Sequence, residues 1–154
     1  MSASRPGAAP RIVAGVDGSP SSVEALRWAV HYAELSGGTV YAVIAWQFPV
    51  AAGGLGWAPT SPLDDTDYAE LAAKTLNETI AEVSPPPGVT LHQVIREGNA
   101  GQVLLEAAHD ADLLVVGNRG HGGLTDALIG SISVRCLHHA PCPVLVVRHA
   151  KKHH

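Results

Sequence analysis

The sequence predicts an α/β domain built on a parallel sheet, and three observations carry the prediction. Five short apolar runs alternate with longer segments of helical periodicity. Several of those runs are continuous stretches of Val, Leu, Ile and Ala, as a strand covered on both faces requires, and do not alternate with polar residues. At 154 residues, 46% hydrophobic and 16% charged, the chain has material for one domain with a single substantial core.

In chain order, the first strand is read at residues 12–16. The helix after it places Val23, Leu26, Val30 and Ala33 on one face, with Ser21 and Glu24 spaced as a capping box and Gly37-Gly38 as its stop. A second strand is expected at 39–46. Residues 47–63 then hold Pro49, Pro59, Pro62, Gly53, Gly54 and Gly56 around Phe48 and Trp57. A connection this long is usually functional or disordered, and its aromatic residues either cover a ligand or pack on the sheet.

The next helix carries a stripe of Tyr68, Leu71, Ala72, Leu76, Ile80 and Val83, and Pro85-Pro86-Pro87-Gly88 halts it. A third strand is read at 90–95. Asn99, with Gln102 three residues on, predicts the start of a helix that buries Val103, Leu104 and Ala107. The fourth strand is 113–117. A last helix follows Ser131 and is expected to bury Ile132, Val134 or Cys136, and Leu137. Val144–Val147 closes the sheet, and residues 1–10 and 149–154 are expected to be flexible tails.

Charge and composition exclude several function classes. A net charge of −4 with no basic cluster argues against nucleic acid as a principal partner. No apolar run approaches the roughly 18 residues that span a bilayer. The first residues lack the apolar core of a signal peptide, so a cytoplasmic location is expected. Cys136 and Cys142, with five residues between them, fit neither a C-x-x-C redox motif nor a zinc knuckle, and both are read as reduced thiols.

The chemistry concentrates after the fourth strand. Asp112-Leu113-Leu114-Val115-Val116 runs into Gly117-Asn118-Arg119-Gly120, and Gly130-Ser131 opens the last helix, giving Gly-x2-Gly-x9-Gly-Ser between strand and helix. Glycines at such a junction let backbone N–H groups approach an anion, and the helix adds its unsatisfied N-terminal donors. Ser131 and Ser133 offer hydroxyls to the same concavity, and Arg119 has a planar fork suited to phosphate. The Rossmann spacing G-x-G-x-x-G is absent, and no lysine precedes Ser131, so the P-loop and the catalysis built on its lysine are excluded. His121, flanked by Gly120 and Gly122, and the helix-terminal His138 and His139 read as surface residues, and the spacing assigns no metal-ligand set.

Gly117, Gly120, Gly130 and Ser131 match the ATP-binding signature of the universal stress protein family. The ending Pro141-Cys142-Pro143-Val144-Leu145-Val146-Val147 resembles that family's closing strand, and Ile12-Val13-Ala14-Gly15-Val16-Asp17-Gly18-Ser19 resembles its opening one. The resemblance, to the single-domain, ATP-binding type, covers residues 11–148. It implies a doubly wound five-stranded sheet of order 3-2-1-4-5 with helices on both faces, and ligands beyond the carboxyl ends of the strands where the order reverses.

By the same resemblance Gly15 and Ala45 line the adenosine moiety and Gly117 lies near the ribose, while Val16, at the end of the first strand, is expected to face the same ATP crevice. Gly120, Gly130, Ser131 and Ile132 lie near the phosphates, where the Ser133 hydroxyl is read as a further ATP contact. Asp17 has two readings: a ligand-side carboxylate facing base, ribose or a bridging metal, and a cap for the helix near Pro20. The implied cofactor is ATP with Mg2+ or Mn2+, in a regulatory stress-response role, and the implied assembly is a homodimer through the apolar edge strand Val144–Val147. No nucleophile, base and orienting acid stand at local spacing, so an enzyme is not the leading reading. The alternatives are a slow ATPase or phosphotransferase using Asp17 and a metal, and a module that binds cyclic AMP or a partner protein.

Overall fold

A computed structural model describes residues 9–47, 65–118 and 129–149. Five parallel strands form one sheet: β1 (Arg11–Val16), β2 (Thr39–Trp46), β3 (Thr90–Glu97), β4 (Leu113–Gly117) and β5 (Val144–Val147), in the order β3-β2-β1-β4-β5. Among the described residues four helices connect them: α1 (Pro20–Ser36), α2 (Asp65–Val83), α3 (Ala100–Ala107) and α4 (Ser131–His139), and a 3-10 turn lies at Ala108–Asp110. The expected class and strand order are both present.

Both faces of the central strands β1, β2 and β4 are largely buried, which is why these strands are apolar without alternation. Ile12, Ala14, Val40, Ala42 and Val115 pack with Leu26, Val30 and Leu76 of α1 and α2. Val13, Val43, Leu114 and Val116 point the other way, toward Val103 and Leu104 of α3 and Cys136 of α4.

Several local expectations need correction. Ser21 and Glu24 do not cap α1. Ser19 does, accepting the Ser22 N–H, with Pro20 in the first helical position, where its missing N–H costs nothing. Ser21 is buried, and Glu24 pairs with Arg27 at 3.5 Å. The C-terminal stop is as expected, since Gly37 takes a left-handed φ of 75°. In α2, Ala72, Leu76 and Val83 are buried but Leu71 faces outward.

Strand β3 runs two residues beyond 95, because Arg96 and Glu97 pair with Ala45 and Trp46. A strand at the sheet edge can carry such exposed charges. In α4 the inner face is Ser133 and Cys136, while Ile132 and Leu137 are exposed. The cap of α3 is as expected, with Asn99 Oδ1 accepting the Gln102 N–H at 3.2 Å. No helix among the described residues is long and apolar enough to cross a membrane.

Candidate functional site

The strand order reverses at β1, which pairs β2 on one side and β4 on the other. The carboxyl ends of β1, β2 and β4 therefore border one crevice, and α4 begins beside it. The expected residues Gly15, Val16, Asp17, Ala45, Gly117, Gly130, Ser131, Ile132 and Ser133 all lie at these strand ends or in the first turn of α4. Arg119, Gly120 and the 47–63 connection, apart from Gln47 itself, lie outside the described residues, as do most of the two tails.

At the end of β1 the chain turns through Gly18, whose φ is 83°. Asp17 Oδ1 accepts the Ser19 backbone N–H at 2.8 Å and the Ser19 hydroxyl at 2.5 Å, and the Asp17 N–H donates to Ser22 Oγ at 3.2 Å. The carboxylate thus braces the residue that caps α1, while remaining half-buried at the crevice mouth. Val16 packs its side chain into the core with α1, leaving its backbone at the crevice.

The β4 end is built by close approach. A Cβ on Gly117 would stand 2.4 Å from Ser21 Oγ and 2.7 Å from the Ser21 carbonyl carbon, so the first turn of α1 lies directly against this glycine. The Gly117 carbonyl accepts the hydroxyl of Ser133 at 2.5 Å. Asn118, buried, donates its N–H to the Val147 carbonyl and accepts the Gly130 N–H. The start of α4 is therefore tied to the end of β4 at two points, Ser133 and Gly130.

Gly130 is the N-cap of α4 and supplies no side-chain cap. The first-turn amides of this helix open at the crevice without a hydroxyl or carboxylate from the preceding residue, the arrangement in which a helix N-terminus attracts an anion. Ser131 is exposed there, whereas Ser133 is turned inward toward Gly117. The backbone of Gly130, at φ −70° and ψ 159°, is open to any residue.

Among the described residues no group of three or more His, Cys, Asp or Glu side chains is arranged to hold a metal ion. Both cysteines are free thiols: burial pushes Cys136 above its ordinary value, and burial followed by the Asp112 charge does the same to Cys142. A groove of about 260 Å3 lies elsewhere, between the sheet and α3, lined by Arg11, Tyr41, Arg96 and Glu106 among others. It contains none of the expected site residues.

Asn118, Ser19 and Ser22 were not singled out from the sequence. A polar residue directly after the glycine that ends the fourth apolar run was the available signal for Asn118. For Ser19 it was the proline immediately after it.

Comparison with known proteins places this geometry among relatives. The universal stress protein family matches residues 9–148. A universal stress protein of Methanocaldococcus jannaschii is 32% identical over 151 residues, covering 92% of this chain and 84% of that protein. One from Mycolicibacterium smegmatis is 35% identical over 145 residues, covering 88% of this chain and 47% of the relative. The chain thus spans about half the length of several of the curated relatives it matches.

Among solved structures, the fold resembles a universal stress protein of Lactobacillus plantarum, with a TM-score of 0.70, 23% identity and coverage of 92% of this chain and 100% of that one. A universal stress protein in complex with cAMP gives a TM-score of 0.61 at 24% identity, covering 94% of this chain and 100% of that one. An Arabidopsis thaliana family member with AMP bound gives 0.60 at 19% identity, covering 92% of each.

Proposed function

The chain belongs to the universal stress protein family, and from that premise we propose that it binds an adenine nucleotide in the crevice between β1, β4 and α4. The proposed ligand is ATP with Mg2+ or Mn2+, and the proposed role is regulatory. The observation that carries the reading is the uncapped first turn of α4, held open at the switch point by Ser133 and Gly130. Adenosine would lie toward Gly15, Val16 and Ala45. The phosphates would lie on the amides of Ser131, Ile132 and Ser133, with Arg119 and Gly120 contributing from the loop. The Ser133 hydroxyl proton is already given to Gly117, so Ser133 serves through its backbone.

The residues fit a cation carried in with the nucleotide. Magnesium is commonly held by one or two carboxylates together with phosphate oxygens, and Asp17 is a carboxylate at the crevice mouth. When bound, the ion would neutralise phosphate charge beside that carboxylate. The Ser19 contacts fix where Asp17 stands.

A monophosphate is the second reading, favoured by the AMP- and cAMP-bound structures of similar fold. The two separate by titration. Backbone donors at one helix end reward added phosphates, so isothermal titration is expected to rank ATP above ADP above AMP, with a further gain from Mg2+. Equal affinity for ATP and AMP, or tighter cyclic AMP, would transfer the assignment to a monophosphate, and no binding of any adenine nucleotide would end it.

A further inference from the structure

Arg135 lies on α4 two residues beyond Ser133, and its Nη1 donates to Asn99 Oδ1 at 3.0 Å. The same oxygen accepts the Gln102 N–H and so caps α3. One carboxamide oxygen therefore serves two helices. Residue 101 is a glycine beneath this contact, and a Cβ there would stand 3.0 Å from Arg135 Cδ and 3.1 Å from its Nη1. The residue before Asn99 is fastened as well, since the Gly98 N–H donates to the Trp46 carbonyl at 2.8 Å, at the carboxyl end of β2.

These contacts form a continuous path from α4, through Asn99 and Gly98, to the end of β2. That path joins the two walls of the crevice. One wall is the phosphate end, made by β4 and α4, and the other is the adenosine end, made by β1 and β2. We propose that Arg135 and Asn99 are positioning residues, a bridge that holds the first turn of α4 at a set distance from the β2 wall and so tunes the anion site. The inference rests on the nucleotide reading above for its functional consequence, and on the bridge geometry alone for its structural one.

The charge of the guanidinium makes the bond stronger than a neutral pair, but its exposure to solvent keeps it modest. Losing it is expected to weaken ATP binding by about twofold to fivefold. Adenosine, which does not use the α4 amides, should keep its affinity.

Three substitutions isolate the bridge. Arg135→Met keeps the aliphatic stem over Gly101 and removes the donor. Asn99→Ser still caps α3 but is too short to reach Arg135. Asn99→Asp caps α3 and keeps a charge-assisted partner for it.

The full chain is titrated with ATP-Mg2+ and with adenosine, and hydrogen exchange at the Gly130 and Val134 amides, bonded to the Asn118 and Gly130 carbonyls, is followed without nucleotide. Arg135→Met and Asn99→Ser are expected to weaken ATP alike, the double variant no more than either, and Asn99→Asp to retain wild-type affinity. Exchange at Gly130 and Val134 should quicken about twofold or more in the first two and stay unchanged in the third. Wild-type behaviour of Asn99→Ser in affinity and exchange would overturn the bridge, as would full additivity in the double variant. A wild-type chain that binds no nucleotide would instead remove the functional reading, and the exchange data would still judge the bridge.

Discussion

Gly117 and Gly130 belong to one glycine-rich segment but answer to different constraints. Gly117 is required by packing, since a Cβ would press on the backbone of Ser21 at 2.7 Å, and backbone cannot rotate out of the way as a side-chain tip can. Gly130 has an unstrained backbone that any residue adopts, and its amide is already bonded to Asn118. Gly117→Ala is therefore expected to lose about 1–3 kcal/mol of stability in urea titration. Gly130→Val should stay folded and lose ATP affinity by about tenfold or more, because the added side chain stands where phosphate would approach the helix end. A Gly130→Val protein that melts early yet binds normally when folded would mean that this residue only turns the chain. Ser133 supplies a second test at this scale. Its hydroxyl is the donor for the Gly117 carbonyl in a buried setting, so Ser133→Ala should cost about 1–3 kcal/mol by leaving that acceptor unpaired. Unchanged stability would return the hydroxyl to the role of a phosphate donor.

At the scale of the element, what was legible depended on how much each signal competed with its neighbours. Asn99 stood alone before α3, and the predicted cap formed. The start of α1 offered Asp17, Ser19, Ser21 and Ser22 within six residues, and only the proline at the first helical position selects Ser19. Strand β3 was read short because Arg96 and Glu97 carry no hydrophobic signal, although backbone pairing to β2 continues through them. On α4 the expected burial of Cys136 is present, but Ile132 and Leu137, which look like core residues, are exposed, and Ser133, bonded to the Gly117 carbonyl, completes the inner face. The strand order that sets β1 between β2 and β4 was legible through the family resemblance, whereas the fastenings at the strand ends, Asn118 and the Asp17–Ser19 brace, depend on distances no spacing encodes. Burial of Cys136 on α4 also carries a pH consequence. Its pKa is raised from the ordinary 9.0, so the folded protein favours the neutral thiol. That contribution is complete below the unfolded value and is lost as pH rises through the folded one. The urea midpoint should hold steady up to about pH 8 and fall above about pH 9, with the fall reduced in Cys136→Ala. An identical alkaline slope in both proteins would assign the loss to other groups.

For the whole molecule, the open question is what meets the outer edge of β5. Leu114 donates to the Pro143 carbonyl and Asn118 to the Val147 carbonyl, so alternate residues of β5 turn their backbone groups toward β4. Val144 and Val146 accordingly direct theirs away from the sheet. The strand is short and apolar, with Val144, Leu145 and Val146 only half-buried, and an edge of this kind readily pairs with another strand. A second copy of the chain is the proposed partner, as the family resemblance implies, with two β5 strands side by side and both crevices left open at the strand ends. Sedimentation velocity across a concentration series should then show a dimer. Val146→Pro removes one outward-facing donor while sparing the bonds to β4, and proline is tolerated on an edge strand. That variant is expected to shift to monomer by tenfold or more in dissociation constant, on the order of 1.4 kcal/mol, with its far-UV circular dichroism and ATP titration preserved. A wild-type chain that stays monomeric throughout the series would remove the edge as an interface. A Val146→Pro protein that remains as tightly dimeric as wild type would move the contact to another face of the molecule.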